Sequence, residues 1–90
     1  MHPLDPTESN EPYIRERWEA TKKELAGHEL QIAQRVEYLM AEFDPPVWSL
    51  SRAHFVQTVV ATASRVEATH DERSHLARVV RRQVLGGRPA

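Results

Sequence analysis

Two adjacent prolines, Pro45 and Pro46, divide a chain of 90 residues into two stretches whose apolar residues recur at intervals of three and four. That spacing gathers apolar side chains on one face of a helix, which turns once in about 3.6 residues. The first stripe runs Ile14, Trp18, Leu25, Ile32, Val36, Leu39 and Phe43, of which Trp18, Leu25, Ile32 and Leu39 are spaced by sevens. The second runs Val56, Val59, Val60, Ala63 and Val66, falters over His70-Asp71-Glu72-Arg73, and resumes at Leu76, Val79, Val80 and Val84. Each proline disfavours helical geometry at the residue before it, so Asp44-Pro45-Pro46 reads as a turn. Valine and threonine at 56–62 favour sheets, but their spacing and the lack of a pairing strand predict helix. The expected fold class is all-α.

The number of helices turns on two places. Gly27 interrupts the first stripe, yet the heptad phase is the same on both sides, which predicts that the helix passes through. In the second stripe, either the helix is continuous from about Leu50 to Leu85, or Thr69-x-x-Glu72 is a capping box that starts a separate last helix. Unbroken helices would make a long antiparallel hairpin of about 50 Å, at about 1.5 Å per residue. A single hairpin leaves half of each stripe wet, so it would dimerise into a four-helix bundle and bury Ile32, Val36, Leu39, Val59 and Val66 between subunits. This is the leading expectation. The alternative folds at Gly27 and near His70, giving four short helices in a monomeric bundle.

At the ends, residues 1–10 hold two prolines and the isolated Leu4 and read as a flexible N-terminal arm. Ser9 or Asn10 is placed to cap a helix that starts near Glu11. The helical domain is expected over 11–86, with Gly86-Gly87 ending it and 87–90 forming a short C-terminal tail. No apolar run approaches the roughly 20 residues that span a bilayer, so no membrane partner is expected. The first residues lack the basic start and apolar core of a signal peptide, which implies a cytoplasmic protein. Cysteine is absent, which excludes disulfides and thiolate metal sites.

Charge is distributed unevenly. The formal net charge is -1, but residues 1–44 carry five Lys and Arg against ten Asp and Glu, a net of −5, and residues 45–90 carry seven against three, a net of +4. With no overall excess, the chain has no general pull on nucleic acid or anionic membrane. In the hairpin register Glu11, Glu16 and Glu19 would face Arg78, Arg81 and Arg82.

Four constellations bear on function. Arg78, Arg81 and Arg82 on the last helix are possible phosphate contacts, the basis of an alternative reading as a small DNA-binding regulator. Glu72 and His75, with Glu24 as a further ligand, have the Glu-x-x-His spacing of di-iron bundles. The pair resembles that of the ferritin-like families, including encapsulated ferritins, and the resemblance implies a metal-binding helical bundle. His28-Glu29-Leu30 resembles the tripeptide at the phosphorylated histidine of sensor kinases, although Gln31-Ile32-Ala33-Gln34 follows where that family carries a proline. Tyr13 and Trp48 lie outside the clean stripes and are the aromatic candidates for an exposed contact.

The length resembles that of the small all-α chorismate mutases, but the array of basic residues around their dianionic substrate cannot be placed here. No Ser/His/Asp arrangement is recognisable either. The expectation is a small non-enzymatic helical interaction protein, an adaptor, regulator or accessory subunit, that self-associates and can bind a larger protein partner. No cofactor is expected.

Overall fold

The structure is a computed structural model that describes residues 11–86, so the arm at 1–10, with its capping candidates Ser9 and Asn10, and the tail at 87–90 lie outside the described residues. Four helices make the fold: α1 (Glu11–Lys23), α2 (Gly27–Met40), α3 (Arg52–Ala63) and α4 (His70–Arg81), with no strand among the described residues. A single 3₁₀ turn, Val47–Ser49, precedes α3, and α4 runs on into a wider π turn at Arg82–Gly86.

The two long helices of the hairpin are thus four short ones, as in the alternative arrangement. Gly27 explains the first break. The chain leaves α1 through turn hydrogen bonds from Glu24 and Leu25 back to Thr21 and Lys22, extends at Ala26, and enters α2 with Gly27 at φ 58°. A left-handed φ is open to glycine and costly for a residue with a Cβ. Thr69 explains the second. Its hydroxyl accepts from the Glu72 amide and the Glu72 carboxylate accepts from the Thr69 amide, so both halves of a capping box start α4 afresh.

The turn at the prolines falls where expected, although α2 stops at Met40, three residues before Phe43. The Asp44–Pro45 bond is cis. Ser51 caps α3, its side chain accepting from the His54 amide at 3.1 Å.

All four helices bury one face in a common core. Ile14 and Trp18 come from α1, Ile32, Ala33, Val36 and Met40 from α2, Phe55, Val56, Val59 and Ala63 from α3, and Leu76, Val79 and Val80 from α4. Val84 of the π turn and Val47 of the 3₁₀ turn are buried in the same core. Trp18 is wholly buried, its ring edge-on to Phe55 at 5.9 Å between centroids. Its indole N–H donates to Glu37 at 2.8 Å, and Glu37 also accepts from Lys22 at 2.7 Å, so the one polar atom of the indole is satisfied. Ile32, Val36 and Val59 are buried within the single chain, while Leu39 and Val66 are partly buried. The apolar strip that was expected to bind a second subunit is therefore largely inside this one.

Candidate interaction surface

The histidines and glutamates singled out in the sequence form internal pairs. His28, in the first turn of α2, approaches Glu72 of α4 at 2.6 Å, and His75 of α4 approaches Glu29 of α2 at 2.8 Å. These crossed pairs tie the start of α2 to the first turns of α4. Hydrogen bonds from the Thr69 amide and from His28 hold the Glu72 carboxyl below its ordinary value. Glu24, the further ligand imagined for a metal, instead accepts from Arg82 and Gln83. Among the described residues no group of three or more His, Asp or Glu side chains is placed to hold a metal ion.

Opposite charges of the two halves meet, but not in the hairpin register. Glu11 pairs with Arg15 and Glu19 with Lys22, both within α1, and of Arg78, Arg81 and Arg82 only Arg82 finds an acid among the described residues, Glu24. Tyr13 and Trp48, expected as exposed aromatics, are partly buried. The Tyr13 hydroxyl donates to the Val84 carbonyl at 3.3 Å, with the Arg52 guanidinium over its ring. Trp48 packs on Phe55 with centroids 5.7 Å apart and lies under Arg15. Both are anchors of the core edge.

Among the described residues, what remains unpartnered is the outer side of α3. From Ala53 to Ala63 this helix carries no Asp, Glu, Lys or Arg, although Ala53, His54, Gln57 and Ala61 are exposed. A helix at the surface ordinarily turns charged residues outward. Two grooves flank it and share Gln57 and Ala61 as the ridge between them. One, of about 340 Å³, is lined by Phe43, Thr58, Thr62 and Arg65. The other, of about 370 Å³, has apolar walls from Val56, Val60 and Leu85 and is also lined by Arg81. Leu85 is 44% exposed, which makes it and Tyr38 the large apolar residues left open among those described.

Neither groove contains an acidic residue. Arg65, Arg78 and Arg81 have no ion pair among the described residues, so the charge at this surface is uncompensated. Tyr38 presents a different case. It lies under Arg35 and beside a shallow depression lined by Lys22 and Glu37, which already satisfy each other.

Sequence reasoning placed Arg81 among the candidates for a phosphate contact but missed α3. The signal was there: twelve consecutive residues, 53–64, free of full charge, in a chain where 28% of residues are charged.

No protein-family model matches the chain, and no curated protein and no solved structure is significantly similar to it. Among the described residues no helix is long and apolar enough to cross a membrane.

Proposed function

We propose that the protein is a small non-enzymatic interaction module that docks a protein partner on the outer face of α3. One observation carries this reading: α3 presents an uncharged ridge between two grooves, with Leu85 exposed on one wall, while the polar clusters elsewhere are paired within the chain. Burying an apolar face of this kind is favourable by about 25 cal/mol per Å² of apolar area. Aliphatic walls with charge confined to the rim also match the usual build of a protein interface.

The DNA-binding alternative keeps only Arg78 and Arg81 as free cations on the last helix, since Arg82 is engaged by Glu24. Aliphatic walls suit a phosphate backbone poorly, and a chain of net charge -1 gains little from counterion release. Self-association through α3 would bring Arg65 and Arg81 of two copies toward one another, which opposes it.

Photocrosslinking tests the proposal. A photoreactive residue at Gln57, on the ridge, should trap a discrete partner that the same residue at the exposed Gln31 of α2 does not, and Leu85→Asp should abolish the adduct. Trapping of the same partner from Gln31 but not from Gln57 would place the interface elsewhere.

A further inference from the structure

Resting on that reading, we infer that the partner segment is an acidic amphipathic helix laid in the groove between α3 and the C-terminal π turn, with aliphatic side chains against Val56, Val60 and Leu85 and a carboxylate against Arg81. Charge selects this occupant. Arg81 lines the groove, Arg78 lies one turn before it on the exposed side of α4, and neither has an acid to neutralise it among the described residues. A basic segment would be repelled, and a neutral one would leave both guanidiniums uncompensated beside a newly dried surface.

The walls set the rest of the chemistry. Val56 and Val60 are one helical turn apart on α3, so they call for two or more aliphatic anchors at matching spacing, which a helix supplies at intervals of three and four. A volume of about 370 Å³ is at the small end of ligand sites and suits such anchors better than a broad cofactor. The ridge residue Ala61 is small enough to let a second backbone approach. The chain's own first ten residues are acidic too, with Asp5 and Glu8, but Leu4 stands between Pro3 and Pro6 and cannot offer anchors at helical spacing.

The test is an amide and methyl NMR titration of the full chain with three synthetic helical peptides. They share leucines at i, i+4 and i+7 and differ in carrying glutamate, glutamine or lysine on the flanking positions. The glutamate peptide should bind tightest, perturb Val60, Ala61 and Leu85 together, and weaken several-fold as salt rises from low to physiological strength. Arg81→Glu should weaken it by about tenfold and shift preference to the lysine peptide. Arg81 is exposed, so this variant should keep its fold, and an unchanged melting temperature checks that.

Equal binding of all three peptides at α3 would overturn the acidic partner while leaving the interface in place. Perturbation by the glutamate peptide of arginines alone, with α3 unmoved, would overturn both. Without peptide, contacts from Leu4 methyls to Leu85, or concentration-dependent shifts along α3, would assign the groove to the chain's own arm or to a second copy and overturn the inference.

Discussion

Arg73, in the first turn of α4, donates from Nη2 to the carbonyl oxygen of Val66 at 2.8 Å and from Nε to that of Ala63 at 3.1 Å. The second stripe falters at this residue because its side chain caps the helix before it. The end of a helix leaves carbonyls without intrahelical donors, and the guanidinium meets that of Ala63, the last residue of α3, together with that of Val66 in the loop beyond, while facing the negative end of the α3 dipole. Arg73→Leu should therefore cost about 1–3 kcal/mol, as expected for losing hydrogen bonds made by a charged donor. Arg73→Lys should recover only part, since an ammonium cannot reproduce the fork. Denaturant unfolding measures both, and a Leu variant as stable as the parent would remove the capping role.

Gly27 supplies a prediction of opposite sign to that of a continuous helix. Were the helix unbroken there, Gly27→Ala would stabilise by up to about 1 kcal/mol. With φ at 58° the alanine must instead adopt a left-handed conformation, at a cost of about 1–2 kcal/mol. An added Cβ would meet nothing within 4 Å, so the whole penalty is conformational. Gly27→Asn should fall between the two, because asparagine tolerates this region better than alanine. Thermal melts of the three proteins decide the order.

Acid should weaken the fold at Glu37. Partial burial pushes its carboxyl up, but hydrogen bonds from Lys22 and Trp18, with the charges of Lys22 and Arg15, outweigh this and hold it below the ordinary 4.5. A carboxyl depressed in the folded state binds protons more readily when unfolded, so its contribution is present above about pH 4.5 and is lost as pH falls through the folded value. Lys22 complements it. Burial lowers its pKa, but hydrogen bonds to Glu37 and Glu19 prevail and raise it above 10.5, so its contribution is complete below that pH and is lost at higher pH. The stability difference between the parent and Glu37→Gln should be constant near neutrality and shrink below pH 4.5, with Trp18 fluorescence as the local reporter. A difference independent of pH would dissociate Glu37 from acid unfolding.

The limits of the sequence reading follow from the same residues. Helical periodicity reports which side chains face a core, and Trp18, Leu25 and Ile32 all do so. It does not report whether the chain between them runs straight. A turn that returns the next helix to the same core preserves the phase, so Leu25 and Ile32 keep their seven-residue spacing across the break at Gly27. Thr69 and Glu72 were legible as a capping box because both reciprocal bonds are local. The crossed pairs of His28 with Glu72 and His75 with Glu29 were not, since they depend on how α2 packs beside α4. The grooves beside α3 became visible only once α3 was known to be a short helix whose Gln57 and Ala61 stay exposed.

Association can be separated from folding at Ile32 and Leu85. Ile32 is 1% exposed within one chain and belongs to the same core as Val36 and Val59, so its burial requires no second subunit. Ile32→Ala should cost about 2–5 kcal/mol, the range for emptying a packed aliphatic site. That cost should be the same at every protein concentration, because a fold completed within one chain has no mass-action term. Leu85 is a different test: it is exposed, and Leu85→Asp should leave the melting temperature near that of the parent while removing an apolar wall of the groove. A melting temperature that rises with concentration in the parent, and no longer does so in Leu85→Asp, would show instead that two copies meet through the α3 face and that their union stabilises the fold.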